Sequence, residues 1–191
     1  MTKKILIISG SHKKHGNTAA LIDWVCEGAK AKGGEIEIIN ASRLKPKVIG
    51  CTSCRKCQEI KEYKCIINDE ISPVLKKMIA ADVIVFATPL YFFAASAPIK
   101  TVIDRMFSLY KWDNDTDEFE TPLRGKTLAL IASAYEDVGL DTLAQPFKLT
   151  ADYTGMKFKS LLVPNAGVSG NLKNNVIVMK KAISFGQSLL K

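Results

Sequence analysis

Short apolar runs alternate along the chain with segments in which apolar residues recur at helical spacing. Lys4 to Ile8 (Lys-Ile-Leu-Ile-Ile), Val83 to Ala87 and Thr127 to Ala132 are nearly continuous and largely apolar. Continuous runs of this kind predict parallel strands covered by helices on both faces. Glu35-Ile36-Glu37-Ile38 alternates polar and apolar residues instead, as an edge strand does, and Phe158 to Val163 reads as a further strand. Between the strands, Asn17 to about Lys32 predicts a helix that stops at Gly33-Gly34. Ile71, Val74, Leu75, Met78 and Ile79 fall on one helical face. So do Ile99, Val102, Ile103, Met106, Phe107 and Tyr110, with Pro98 at the first helical position. Leu140 to Tyr153 carries a weaker helical pattern, because Pro146 must break or start a helix there. The segment from Leu172 onward completes the set as a helix.

Five strands alternating with about five helices, joined by right-handed crossovers, predict an α/β fold. The expected architecture is a three-layer doubly wound sandwich on a five-stranded parallel sheet, whose spacing suits the order 2-1-3-4-5. In such a sheet a ligand binds beyond the carboxyl ends of the strands, where the order reverses between strands 1 and 3. Repeats, low-complexity tracts and linkers are absent, so residues 1–191 read as one domain with a Cys-rich loop at 50–66.

The composition is compatible with this. Of 191 residues, 47% are hydrophobic and 24% charged, enough to fill one core and too apolar for a disordered chain. No apolar run approaches the roughly 18 residues of a membrane span. The short apolar run at Ile5-Leu6-Ile7-Ile8, with no small-residue cleavage site after it, does not form a secretory signal. These features predict a cytoplasmic protein with no membrane partner. The 27 Lys and Arg against 19 Asp and Glu give a net charge of +8. The lysines are scattered, and Asp113-Asn114-Asp115-Thr116-Asp117-Glu118 form an acidic loop. That distribution argues against nucleic acid and leaves a solvated lysine surface or a small phosphorylated ligand.

The first loop supplies such a ligand site. Ser9-Gly10-Ser11-His12-Lys13-Lys14-His15-Gly16-Asn17-Thr18 leads from a buried strand into a helix, offering hydroxyls, backbone N–H groups and the positive end of a helix dipole. It matches neither G-x-G-x-x-G nor the P-loop, which disfavours a dinucleotide Rossmann site and an NTPase. A phosphate cradle fits. The alternative is a simple cap, with Asn17 or Thr18 closing the helix and the serines satisfying a turn.

Gly10-Ser11-x-Lys13-x-x-Gly16-Asn17-Thr18 resembles the G-S-P-R-x-x-G-N-T loop of the flavodoxin-like NAD(P)H-dependent FMN reductases, with His12 in place of the usual proline and Lys13 in place of arginine. Thr88-Pro89-Leu90-Tyr91-Phe92, followed by Ser96-Ala97-Pro98-Ile99-Lys100 and Ile103-Asp104-Arg105, is similar to that family's T-P-x-Y…S-x-x-x-K…x-D-R stretch. The resemblance implies an FMN site in which Ser9, Ser11, Lys13, Asn17 and Thr18 serve the phosphate. It implies that Pro89, Leu90, Tyr91 and Phe92 contact the isoalloxazine ring, largely through backbone groups, and that Ser133, in Ser133-Ala134-Tyr135, lies in the third flavin loop. An aromatic, uncharged turn stacks well on a planar cofactor. Phe93 is expected in the core or an interface, Tyr110 and Trp112 in the core or surface rather than over a flavin, and Lys100–Asp104 as an exposed pair. No side chain is needed as a catalyst, because flavin N5 carries the chemistry; His12 and His15 are surface residues.

Cys51-x-x-Cys54-x-x-Cys57 and Cys65 place four thiols in one loop, while Cys26 sits apart on a helix as an inert core thiol. Compact cysteine runs suit iron–sulfur clusters. The spacing resembles that of the iron–sulfur flavoproteins, an archaeal and anaerobic-bacterial branch of the same reductase family, in which FMN and a [4Fe–4S] cluster share a subunit of a dimer or tetramer. Three outcomes stay open: a [4Fe–4S] cluster, zinc, or cysteines without metal. The expected function is an FMN-dependent NAD(P)H oxidoreductase acting on a flavin, quinone or similar small acceptor, as a homodimer or homotetramer. The alternatives are an iron–sulfur flavoprotein electron carrier served by ferredoxin, and a non-catalytic binding module with a zinc-stabilised loop.

Overall fold

The computed structural model describes residues 2–112 and 119–191. The chain runs through β1 (Lys4–Ser9), α1 (Asn17–Lys30), β2 (Glu35–Asn40), α2 (Ser72–Ala80), β3 (Val83–Tyr91), β4 (Ala94–Ala95) and α3 (Ala97–Arg105). It continues through β5 (Lys111–Trp112), β6 (Phe119–Glu120), β7 (Thr127–Ser133), α4 (Leu140–Thr154), β8 (Lys157–Val163) and α5 (Val176–Ser188). The main sheet has the order β2-β1-β3-β7-β8, all parallel. This is the predicted 2-1-3-4-5 arrangement. The sheet has six strands rather than five, because β4 folds back antiparallel on the end of β3.

Alternation along the central strands distributes their side chains between two cores. Leu6, Ile8, Ile84, Phe86, Leu128 and Leu130 face one way, toward α2, α3 and α4. Ile5, Ile7, Val83, Val85, Ala129 and Ile131 face the other, toward α1 and α5. A strand covered on both faces has no reason to alternate in hydrophobicity, which is why these runs are continuous in sequence.

Several boundaries differ from expectation. The helix expected to reach Tyr110 stops at Arg105; Met106–Leu109 tighten into a 3-10 turn in which the Ser108 hydroxyl donates to the Arg105 carbonyl at 2.9 Å. Tyr110 is extended. Pro146 neither breaks nor starts a helix: α4 runs through it, with Leu143, Phe147 and Ala151 burying a continuous face on either side. That burial offsets the lost backbone bond. The last helix starts at Val176, capped by Asn175, rather than at Leu172, which sits in a 3-10 turn. Phe93 is half exposed, outside the core, which leaves the interface half of its expectation. Tyr110 joins the core as expected, its ring 5.5 Å from Phe119 and 6.1 Å from Tyr153. The acidic loop 113–118 lies outside the described residues. Among the described residues no helix is long and apolar enough to cross a membrane.

Candidate functional site

The carboxyl ends of β1, β3, β7 and β8 surround a cavity of about 350 Å³. It lies where the strand order reverses between β1 and β3, the place an α/β sheet reserves for a ligand. Ser11, Lys13, Asn17 and Thr18 line it from the first loop, Pro89, Leu90 and Tyr91 from the second, and Ser133 and Tyr135 from the third. Ser9 and Phe92, also expected at the site, do not line it: the Ser9 hydroxyl is buried and accepts the Ser11 N–H at 3.5 Å, and Phe92 is 99% exposed at the tip of the β3–β4 turn.

Other residues shape the first loop. The buried Ser96 donates its hydroxyl to the Gly10 carbonyl at 2.9 Å and its N–H to Thr88 Oγ1 at 3.0 Å, tying the first loop to the second. Asn40 and Ser42 both donate to the Ser11 carbonyl, at 3.4 and 3.1 Å. These ties hold the loop open. Helix α1 begins after Gly16 with no side-chain cap, so neither Asn17 nor Thr18 plays the simple capping role. The N–H groups of its first turn therefore remain available to a ligand. The Thr18 side chain is 3% exposed, lines the cavity, and its hydroxyl takes part in none of the described hydrogen bonds. Uncapped N–H groups beside Lys13 and the cavity-lining Thr18 fit an anionic group such as the FMN phosphate.

The Asn17 side chain is directed to a different task. Its Nδ2 donates to the Ala166 and Val168 carbonyls at 3.0 and 3.1 Å, and its Oδ1 accepts the Gly170 and Leu172 N–H groups at 2.9 and 3.2 Å. The segment Ala166–Ser169 thereby becomes a further wall of the cavity. Sequence reading missed this wall, because nothing in residues 164–170 marks a contact with a helix some 150 positions earlier. A second, larger cavity of about 630 Å³ lies on the flank between α3 and α4. Ile103, Met106, Phe107, Tyr110, Leu149 and Tyr153 make it almost wholly apolar, and Asp104 and Asp152 are its charged groups. Among the described residues its only charged lining groups are carboxylates, Asp104 already paired with Lys100, so it offers a phosphate no free cation and the strand-end cavity is the cofactor candidate.

The cysteine loop packs elsewhere. Gln58 donates to the Tyr110 carbonyl at 2.9 Å and accepts the Trp112 N–H at 3.3 Å, which pins the loop to β5. Cys57 is buried, Cys65 half-buried, and Cys51 and Cys54 exposed. Burial pushes the Cys57 thiol up, while hydrogen bonds from the Lys56 N–H and Thr52 pull Cys54 down. Burial raises Cys26 to about 11, which suits the inert core thiol expected there. All four loop cysteines border one narrow crevice with Arg105, so the donor chemistry suits a sulfur-ligated group. Yet among the described residues no three Cys, His, Asp or Glu side chains are arranged to hold a metal ion. As arranged, the loop does not fit a cluster or zinc.

Comparison with known proteins shows the family. The NADPH-dependent FMN reductase family matches residues 3–160. An iron-sulfur flavoprotein of Methanocaldococcus jannaschii is 38% identical over 104 residues, 53% of this chain and 51% of its own. The chain spans about half the length of the curated iron-sulfur flavoproteins it matches. The YwqN protein of Bacillus subtilis aligns at 23% identity over 98% of this chain and 97% of its own. Among solved structures, an NAD(P)H:quinone oxidoreductase from Methanothermobacter marburgensis shares the fold with a TM-score of 0.74 at 13% identity, over 99% of this chain and 98% of the other. The match to the family spans β1, β3 and β7 with the loops that follow them, and the chain belongs to the NADPH-dependent FMN reductase family.

Proposed function

We propose that the chain is an FMN-dependent oxidoreductase that takes a hydride from NADH or NADPH and reduces a flavin, quinone or similar small acceptor. The observation that carries this reading is the uncapped start of α1 beside Lys13 and Thr18, lining a cavity at the reversal point of the sheet. Family membership supports it. Bound there, FMN supplies the redox chemistry. The chain's own residues bind and orient. Lys13 and the first-turn N–H groups face the phosphate with positive potential. The backbone of Pro89, Leu90 and Tyr91, fixed by the β3–β4 hairpin, lines the cavity and would hydrogen-bond the ring nitrogens. Tyr135, 64% exposed, leaves the outer side of the site open to a second planar substrate. No acid or base from the protein is required.

The test is a titration of the purified chain with FMN, followed by NADH or NADPH under anaerobic conditions. Saturable FMN binding and bleaching of the bound flavin support the reading; no binding by folded protein overturns it. Membership in a reductase family weighs against the non-catalytic module. A second reading, an electron carrier holding an iron–sulfur group, draws on the four cysteines around one crevice and on the iron-sulfur flavoprotein relatives. Because the cysteines as arranged do not fit a metal, no step is derived through one. Iron and sulfide analysis of anaerobically purified protein decides it.

A further inference from the structure

We infer that the segment Ala166–Ser169 is a fourth wall of the cofactor site, that the Ser169 hydroxyl is a ligand of the cofactor's phosphate, and that Asn17 is the positioning residue that holds it there. This rests on the FMN reading above and adds to it a residue outside the stretch 3–160 that matches the family.

The Asn17 amide accounts for the wall. Besides the bonds to Ala166 and Val168, Nδ2 approaches the Gly167 carbonyl at 3.4 Å. With Oδ1 accepting from Gly170 and Leu172, both amide hydrogens and both oxygen lone pairs are engaged. Nothing is left over for a ligand. One side chain at the first position of α1 therefore fixes a whole turn of chain from beyond β8. That turn needs fixing, since Asn165, Gly167 and Gly170 take left-handed φ values of 53°, 61° and 89°. A non-glycine residue such as Asn165 persists there only when its surroundings over-determine it.

The fixed turn brings Ser169 to the phosphate loop. A side chain built on Gly16 would begin 3.2 Å from Ser169 Oγ and 3.1 Å from Lys13 Cβ. Glycine at this position lets the hydroxyl close on the loop just before the uncapped start of α1. Ser169 lines the same cavity as Thr18 and Lys13, and its hydroxyl takes part in none of the described hydrogen bonds. A phosphate offers more acceptor oxygens than one helix terminus can serve. A hydroxyl from the adjoining wall donates to the remaining ones, and hydrogen bonds to charged acceptors are among the stronger kind.

The experiment compares FMN with riboflavin, which lacks the phosphate, by equilibrium fluorescence titration of four proteins. Wild type is expected to prefer FMN by tenfold or more in order of magnitude. Ser169→Ala should lose about tenfold in FMN affinity while riboflavin affinity holds, and Ser169→Thr should restore it. Ser169 is exposed, so these variants keep the fold. Asn17→Asp replaces the donor facing the three carbonyls by an acceptor, and should lower the FMN-to-riboflavin ratio in the same sense. A ratio in Ser169→Ala within about twofold of wild type overturns the inference. A wild-type protein that binds both flavins equally overturns the phosphate reading itself, and the inference with it.

Discussion

Arg105 and Asp69 pair inside the protein, Nη1 3.1 Å from Oδ2, with both side chains withdrawn from water. Nη2 donates to the Ile67 carbonyl at 2.8 Å, and Asp69 also accepts the Lys47 and Ile71 N–H groups, each at 3.1 Å. The pair therefore clamps both ends of the Cys-rich loop against α3. Its guanidinium Nε alone lacks a partner. Removing one member of a buried pair leaves an uncompensated charge, which costs about 3–5 kcal/mol. Arg105→Met is expected to lower unfolding free energy by that order in urea. Arg105→Met combined with Asp69→Asn should lose less than Arg105→Met alone, because the amide keeps an acceptor for the backbone without the stranded charge. Additive losses would contradict a direct pair.

The same pair sets an acid limit. Burial by itself raises the Asp69 carboxyl, but the Arg105 hydrogen bonds and the Ile71 and Lys47 N–H groups outweigh it and hold the group below its ordinary range. A carboxyl depressed in the folded state contributes stability that is present above the unfolded value, about pH 4. That contribution disappears as pH falls through the lower folded value. Wild type should therefore lose stability below about pH 4 more steeply than Asp69→Asn, which has no proton to bind. Urea midpoints measured from neutral to acid pH check this, and parallel profiles for the two proteins count against it.

What sequence could and could not reveal follows from the range of each interaction. Ile5 to Ile8 announced a doubly covered strand because burial on both faces acts on every residue of a short segment. The loop from Ser9 to Thr18 was legible as a strand-to-helix turn at the sheet's reversal point because strand, glycines and helix start are adjacent in the chain. Pro146 misled, since local propensity predicts a break and only the packing of Leu143 and Phe147 reverses it. The periodicity through Tyr110 overran the helix because an apolar face does not record where the Ser108 hydroxyl diverts the backbone. Asn17 was legible as important and misread in role, its partners lying at Ala166 to Leu172.

The turn joining β3 to β4 stores strain. Phe92 and Phe93 occupy its two central positions with φ values of 45° and 63°. Such turns favour Asn-Gly, because a side chain there clashes with its own backbone at about 1–2 kcal/mol. Phe92 is 99% exposed and recovers nothing by burial. Phe92→Asn should therefore stabilise the fold by about 1 kcal/mol, read as a higher thermal midpoint. If the exposed ring serves the bound flavin, the same variant should bind FMN more weakly. A variant with no gain in stability sinks the strain argument.

Helices α1 and α5 meet backbone to backbone. A Cβ on Gly28 would stand 2.0 Å from the Ile183 carbonyl oxygen, and one on Gly186 would stand 2.1 Å from that of Val25. On an exposed helix, Gly→Ala gains about 1 kcal/mol of propensity. Here the obstacle is backbone, which cannot rotate away, so the helices must separate and the overpacking outweighs the gain. Gly28→Ala is expected to destabilise by roughly 2 kcal/mol or more in denaturant unfolding. Because α5 continues directly from the turn that Asn17 fastens to the start of α1, the separation should reach the cavity too, and FMN affinity should fall in Gly28→Ala although the substitution lies three turns of helix away. Should Gly28→Ala instead stabilise the protein, as propensity alone predicts, the close approach of the two helices is not what holds that wall in place.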